Sequence, residues 1–343
     1  MEIGPVRMSD KIPERLERAI EARSALLDEK HELALRLFNG FYEGEPRLVV
    51  DLFSHTLVLY NYASEINAGE RLVHTAWQYL QKKLPWVQCV IVKTRSAQTP
   101  AERNGICLYG NTPDCWIRED GIRYALELQM NRDASFYLDT RALRSWAKSN
   151  LAGKRVLNTF AYTGSLGVAA MAAGASQVIH LDLNRRFLNV AKTSYTLNGF
   201  AVERKDFRQG DFWPQVSQMR RKGDVFDCVF LDPPFFSLTS KGRVDLVKNS
   251  RRLINKVRPL IRDGGILAVV NNAIFLAGEE YFRMLQALCA DGYMQILELI
   301  PVPQDITGLK ATIVTQPPLD PAPFNHPTKI ALLRVRRKPA RQD

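Results

Sequence analysis

The sequence predicts a doubly wound α/β domain preceded by a smaller α+β domain. Three observations carry that prediction. After about Asp133 short apolar runs alternate with helix-like segments, the pattern of successive βαβ units. A glycine turn at Gly164 follows the first of those runs, and Asp182 ends the next one about 20 residues later. Between Phe41 and Asp133 the chain reads instead as hairpins around a single helix.

The elements follow in order. Residues 1–40 are expected to form a helical segment, one long helix or two short ones, because Ile12, Leu16, Ala19, Ile20, Leu26, Leu27, Leu33 and Leu37 recur near helical spacing and Asn39-Gly40 supplies a stop. Residues 41–133 form the small α+β domain. Leu48 to Phe53 and Thr56 to Asn61 read as strands around a turn, Ala68 to Lys83 as a helix, Cys89 to Thr94 and Cys107 to Tyr109 as strands. Ser96 to Gly105 is polar and reads as a surface loop, and Asp120-Gly121 as the turn of a further hairpin. Residues 134–343 form the doubly wound domain. Its strands are Val156 to Asn158, Gln177 to Leu181, Cys228 to Leu231 and Ile266 to Val270; its helices are Leu166 to Ala173, Arg186 to Leu197, Val244 to Leu260 and Glu279 to Ala290. Ile296 to Pro301 and Lys329 to Arg336 could add a terminal antiparallel pair.

A chain of 343 residues suffices for two such cores, and 46% hydrophobic with 24% charged residues excludes a disordered or fibrous chain. No apolar run reaches the roughly 18 residues that span a bilayer. The stretch from Met1 to Lys11 lacks the apolar core of a signal peptide, so a cytoplasmic protein without membrane contact is expected. The net charge of +11 favours an anionic partner, nucleic acid first among them. Cys89, Cys107, Cys115, Cys228 and Cys289 contain no CxxC pair, and the five histidines no i, i+4 pair, so neither a disulfide framework nor a metal site is expected.

The chemistry is written at the strand ends. The run Asn158-Thr159-Phe160-Ala161-Tyr162-Thr163-Gly164 leads into an alanine-rich helix, whose free N–H groups and positive dipole end suit a polar ligand. Alone, this could be an ordinary turn. Asp182, with Leu183 beside it, ends the next strand where an acid can accept both hydroxyls of a ribose. Asp211 then stands where an acid can meet an adenine amino group, with Phe212 to pack beside the ring. Three stations fit adenosine, yet a nicotinamide dinucleotide would use the first two equally well. The deciding segment is Asp232-Pro233-Pro234-Phe235, a carboxylate, a run of carbonyls without N–H donors and a ring at a strand end.

That tetrad resembles the fourth motif of amino-methylating nucleic-acid methyltransferases. Together with Phe136 to Arg141, Leu157 to Gly164 and Val270-Asn271-Asn272 it is similar to the bacterial 23S rRNA large-subunit methyltransferases, in the guanine-nitrogen and cytosine-C5 branch. The resemblance implies a class I, Rossmann-like methyltransferase domain that uses S-adenosylmethionine and acts on rRNA. It makes Asp182 the ribose acid, Asp211 the adenine-side acid, and Asn158, Phe160, Tyr162 and Gly164 the wall beside the methionine moiety. Asp139 and Arg141 would close the pocket, although two charges ahead of the first strand could equally be a surface ion pair.

Methylation of cytosine C5 needs a thiolate that attacks C6. Where cytosine-modifying relatives place a cysteine, this sequence has Asn271 and Asn272, so a base nitrogen, guanine most simply, is the expected acceptor. In this reading Asp232 orients the base edge, Phe235 stacks on the base, and Asn271 or Asn272 adds a hydrogen bond. The rival readings are a methyltransferase acting on protein or a small molecule, and a non-catalytic RNA-binding module. The basic end from Arg334 to Arg341 offers either phosphate contact or a solvated terminus.

Overall fold

The structure is a computed structural model that describes residues 11–234, 236–239 and 242–337, with residues 236–239 and 242–248 described by backbone alone. The expected base-stacking Phe235 and the basic residues Lys338 and Arg341 lie outside the described residues. The chain divides into two compact units, one reaching to Leu138 and taking in Pro303–Gln316, the other spanning Asp139–Val302 and resuming at Pro317.

In the first unit α1 (Ile12–Arg23) has a proline in its first turn and buries Ile12, Leu16, Ala19 and Ile20. The helix expected to run on toward Phe38 gives way to strand β1 (Ala34–Asn39). Leu33, Leu35 and Leu37 alternate with period two, and a bulge between Arg36 and Phe38 leaves Leu37 and Phe38 both buried. Next come α2 (Gly40–Glu43), β2 (Leu48–Phe53), β3 (Thr56–Asn61), α3 (Ile66–Lys83) and β4 (Cys89–Thr94). The expected loop 96–105 contains a short helix, α4 (Pro100–Asn104), because Thr99 caps it by accepting from the Glu102 N–H and Pro100 opens its first turn. Strand β5 (Ile106–Tyr109) follows, then the hairpin β6 (Trp116–Glu119) and β7 (Ile122–Ala125). The five strands order as β1-β2-β3-β4-β5, with β3 and β4 parallel across α3. Leu16, Phe38, Leu52, Leu59, Trp77 and Leu80 share the core between helices and sheet.

The second unit begins with α5 (Arg141–Asn150), so Asp139 sits in a helical turn just ahead of it and Arg141 is its first residue rather than part of a loop. Then strand and helix alternate: β8 (Arg155–Thr159), α6 (Ser165–Ala172), β9 (Gln177–Asp182), α7 (Arg185–Leu197), β10 (Phe207–Gln209), α8 (Phe212–Arg221) and β11 (Phe226–Leu231). A small hairpin of β12 (Phe236–Thr239) and β13 (Gly242–Asp245) precedes α9 (Leu246–Val257), β14 (Ile261–Asn271), α10 (Gly278–Cys289) and β15 (Met294–Ile300). The short α11 (Gln304–Thr307) belongs to the first unit, and β16 (Lys329–Val335) completes the second.

The seven strands order as β10-β9-β8-β11-β14-β16-β15. The first five are parallel, and β16 pairs antiparallel with both β14 and β15, as the sequence suggested for the terminal pair. Because the chain builds outward from β8 to β10 and then resumes on the other side of β8 with β11, the order reverses between β8 and β11. Such a reversal opens a crevice at the carboxyl ends of the strands, the usual ligand position of an open α/β sheet. The expected doubly wound α/β fold with a smaller α+β domain before it is the fold observed.

Candidate active site

Strand register brings the expected site residues to one edge. Thr159 pairs with Leu181 on one side and Leu231 on the other, and Leu231 pairs with Val269. The residues that follow, Phe160, Asp182, Asp232 and then Asn271-Asn272, therefore line the carboxyl edge of β8, β9, β11 and β14.

The turn after β8 is strained in a patterned way. Phe160 and Tyr162 have φ of 52° and 50°, and Gly164 has 81°. Left-handed conformations at non-glycine residues cost of order 1–3 kcal/mol and persist where the surroundings fix them. Here the Tyr162 N–H donates to Asp182 Oδ2 at 2.8 Å and the Gly164 N–H to the Ala161 carbonyl at 2.8 Å. A Cβ at Gly164 would lie 2.6 Å from Ala191 Cβ, and one at Gly167 2.3 Å from His180 Cε1, so only glycine lets α6 approach β9 this closely. Thr163 is buried at the start of α6.

Asp182 Oδ1 accepts from the Asn184 N–H at 2.8 Å, which fixes the carboxylate between two backbone donors. Burial pushes this carboxyl up, opposed by the N–H groups of Asn184 and Tyr162. Beside it Leu183 is 60% exposed, an apolar surface at the strand end. Asp211 accepts from the Trp213 N–H at 2.8 Å as the N-cap of α8, so it already has a structural task. Phe212 is buried and stacks on Phe160, with centroids 4.7 Å apart. Asn158 is buried and its Nδ2 lies 3.5 Å from His180 Nδ1, so it faces the buried histidine beneath α6. A ribose-competent acid, an exposed leucine beside it and a strained glycine turn at a helix start fit an adenosine-containing cofactor.

At the next strand end Asp232 is half-buried and Pro233 buried. Burial first, and the nearby Asp139 second, push the Asp232 carboxyl up to about 7. Asp139 Oδ2 accepts from the Thr328 hydroxyl at 2.8 Å, and Arg141, two residues on, is half-buried. Asn271 is fully buried: its Nδ2 donates to Ser250 Oγ at 3.1 Å and its Oδ1 accepts from the Ala273 N–H at 2.9 Å. Asn272 differs, for its Oδ1 is buried and has no hydrogen-bond partner among the described residues. An orphaned buried acceptor beside a protonatable carboxyl suits an incoming N–H donor.

Sequence reasoning missed Lys329, Ser250 and Thr328. The Lys329 ammonium is buried, donates to the carbonyls of Ala273 and Pro327 at 2.9 and 2.6 Å, and is lowered to about 8 by burial. A lone lysine at the start of the apolar run Lys329 to Val335 was its one available signal.

Comparison with known proteins agrees with this fold. A family model described as S-adenosylmethionine-dependent methyltransferase matches residues 77–307. The chain is 29% identical over 291 residues to ribosomal RNA large subunit methyltransferase I of Aeromonas hydrophila, covering 83% of this chain and 73% of the relative. It is 27% identical over 290 residues to the protein of that name from Aeromonas salmonicida, again covering 83% and 73%. Among solved structures, a putative methyltransferase complexed with SAH superposes with a TM-score of 0.83 at 20% identity, covering 96% of this chain and 83% of the other. A putative SAM-dependent methyltransferase from Streptococcus mutans gives 0.80 at 20% identity, with 96% and 83% coverage. With two-thirds of its length matched, the chain belongs to the S-adenosylmethionine-dependent methyltransferase family and is an enzyme of that class.

Proposed function

We propose that the enzyme methylates a base nitrogen, guanine first, in large-subunit rRNA. The observation that carries the choice of atom is the position of the cysteines. Of the chain's five, Cys89, Cys107 and Cys115 belong to the first unit; Cys228 is fully buried inside β11 and Cys289 lies in α10. Burial pushes the thiols of Cys228 and Cys289 up, away from the thiolate. None stands at the carboxyl ends of β11 or β14, so attack on C6 of a pyrimidine has no nucleophile there. The choice of rRNA is supported by the net charge of +11 and by the names of the relatives.

Bound S-adenosylmethionine supplies a methyl group already activated as a sulfonium. Asp182 and the Phe160–Gly164 turn would hold its adenosine and methionine ends, with Asp211, Phe212 and Leu183 toward the base and Asp139 and Arg141 on the opposite wall. The chain's remaining task is to align the acceptor and remove its proton, and alignment alone can be worth about 7–11 kcal/mol. Asp232, with its carboxyl near neutrality, takes the proton that the methylated nitrogen loses. Asn272 Oδ1 accepts a second N–H of the base edge, while Asn271 holds the turn through Ser250 and Ala273.

The test is to incubate the protein with methyl-labelled S-adenosylmethionine and rRNA from cells lacking the gene, then digest the RNA and identify the labelled nucleoside. Labelled guanosine is expected, and Asp232→Ala should abolish it with cofactor binding intact. Labelled 5-methylcytidine would overturn the nitrogen reading; label in protein or small molecules alone would overturn the RNA reading.

A further inference from the structure

The site leaves unexplained the turn immediately beyond Asn272. Ile274 is 48% and Phe275 67% exposed, whereas Ala273 and Leu276 on either side are buried in the core of the second unit. This turn is held, not loose. The Ala273 N–H donates to Asn271 Oδ1 at 2.9 Å, the Leu276 N–H to the Ala273 carbonyl at 3.2 Å, and Lys329 Nζ to that carbonyl at 2.9 Å. Asn271 is itself tied to Ser250.

A buried residue on each side and four hydrogen bonds at its root thus present an adjacent isoleucine and phenylalanine to solvent. Leaving two large apolar side chains in water forgoes the burial that stabilises the rest of the unit, and on a turn fixed this firmly the pair suits a contact surface. Its place narrows the occupant. The tip follows Asn272, whose orphaned Oδ1 calls for an N–H donor, on the same sheet edge as Asp232. A nucleobase carries both complements, a hydrogen-bonding edge and an apolar face. The chain's charge of +11 fits the polyanion to which such a base belongs.

We propose that Phe275, flanked by Ile274, stacks on a nucleobase of the RNA acceptor at the mouth of the active site. The proposal rests on the RNA reading above. Such a ring either supports the base brought into the site or takes the stacking position that the base vacates.

The experiment measures binding of the full chain, with SAH present, to an unmodified transcript of large-subunit rRNA across a salt series, for wild type, Phe275→Ala and Phe275→Trp. Phe275→Ala should weaken binding by about 10- to 100-fold, the usual size of a lost base–aromatic stack, and Phe275→Trp should restore it. The slope of affinity against salt should stay the same in all three, because no phosphate contact is lost. SAH affinity and thermal midpoint should not change, since the ring is mostly exposed. Unchanged RNA affinity in Phe275→Ala, with wild type binding normally, would overturn the stacking role and assign the tip to another partner. Absence of RNA binding by wild type would overturn the RNA reading and this proposal together, an outcome distinct from the first.

Discussion

Asp232 feels burial and a second carboxylate at once, and the two act in one direction. Both disfavour its charged form and push it up to about 7. If the carboxylate takes the acceptor's proton, turnover should rise with pH and level off after an inflection near 7. Asp139→Asn removes the like charge but not the burial, and its side-chain oxygen can still accept from Thr328. The inflection should then move to lower pH by part of the total rise, read from kcat against pH; an unmoved inflection would detach Asp139 from Asp232. The linkage to stability has a definite sign. With the folded value above the unfolded one, the folded state binds more protons between about pH 4 and 7, so stability falls as pH rises through that window. Asp232→Asn should therefore gain in thermal midpoint over wild type as pH increases. Asp182 and Asp232 were legible in the sequence because each closes an apolar run. Lys329, Ser250 and Thr328 were not, because their partners are set by pairings such as Asn271 with Lys329 across β14 and β16.

At the scale of elements, four of the five parallel strands could be read directly since both faces are buried, giving runs such as Cys228 to Leu231 without polar interruption, whereas the three-residue β10 was too short to show. Strand β1 could not, because Leu33 and Leu37 satisfy a helical spacing as well as an alternating one. Helix α8 was hidden by its own cap: Asp211 and Phe212 read as cofactor stations, yet they also begin a helix. The close packing of α6 on β9 was half-visible as a glycine turn and gained its reason only from His180. That ring stacks on Phe207 with centroids 5.0 Å apart, its Nε2 lies 3.0 Å from the Tyr195 hydroxyl, and burial lowers it to about 3, so it is neutral. It fills the space under Gly164 and Gly167. Gly167→Ala should therefore force α6 away from β9, costing about 1–3 kcal/mol as overpacked core substitutions do. Denaturant unfolding measures that cost. Because α6 follows the turn proposed to bind the cofactor, affinity for S-adenosylmethionine should weaken as well; full affinity in a destabilised variant would show that the turn is held by Asp182 alone.

Across the whole molecule, the chain leaves the first unit at Leu138 and re-enters it for Pro303–Gln316, a return that no local pattern announces. What receives the segment is a buried polar cluster. Arg23 donates to Glu43 Oε1 at 2.8 Å and Oε2 at 3.2 Å, and to the Asp305 carbonyl at 3.1 Å. Glu43 also accepts from the Asn39 N–H at 2.7 Å and from the Thr312 hydroxyl, while the Arg36 N–H donates to Asp305 Oδ2 at 3.0 Å. Arg23 and Glu43 are 0% and 3% exposed, so each depends on the other for its charge. Nothing local in the sequence marks Arg23, one charge among many between the apolar positions of α1. Arg23→Met should leave a buried carboxylate unpaired and cost about 3–5 kcal/mol, measured by denaturant unfolding. Adding Glu43→Gln should recover part of that loss, because the amide carries no charge, its oxygen can still accept from the Asn39 N–H, and its NH2 can donate to a rotated Thr312 hydroxyl. Equal stability of the single and double variants would mean that Arg23 acts through its bond to Asp305, tying the returning segment down, and not through the ion pair.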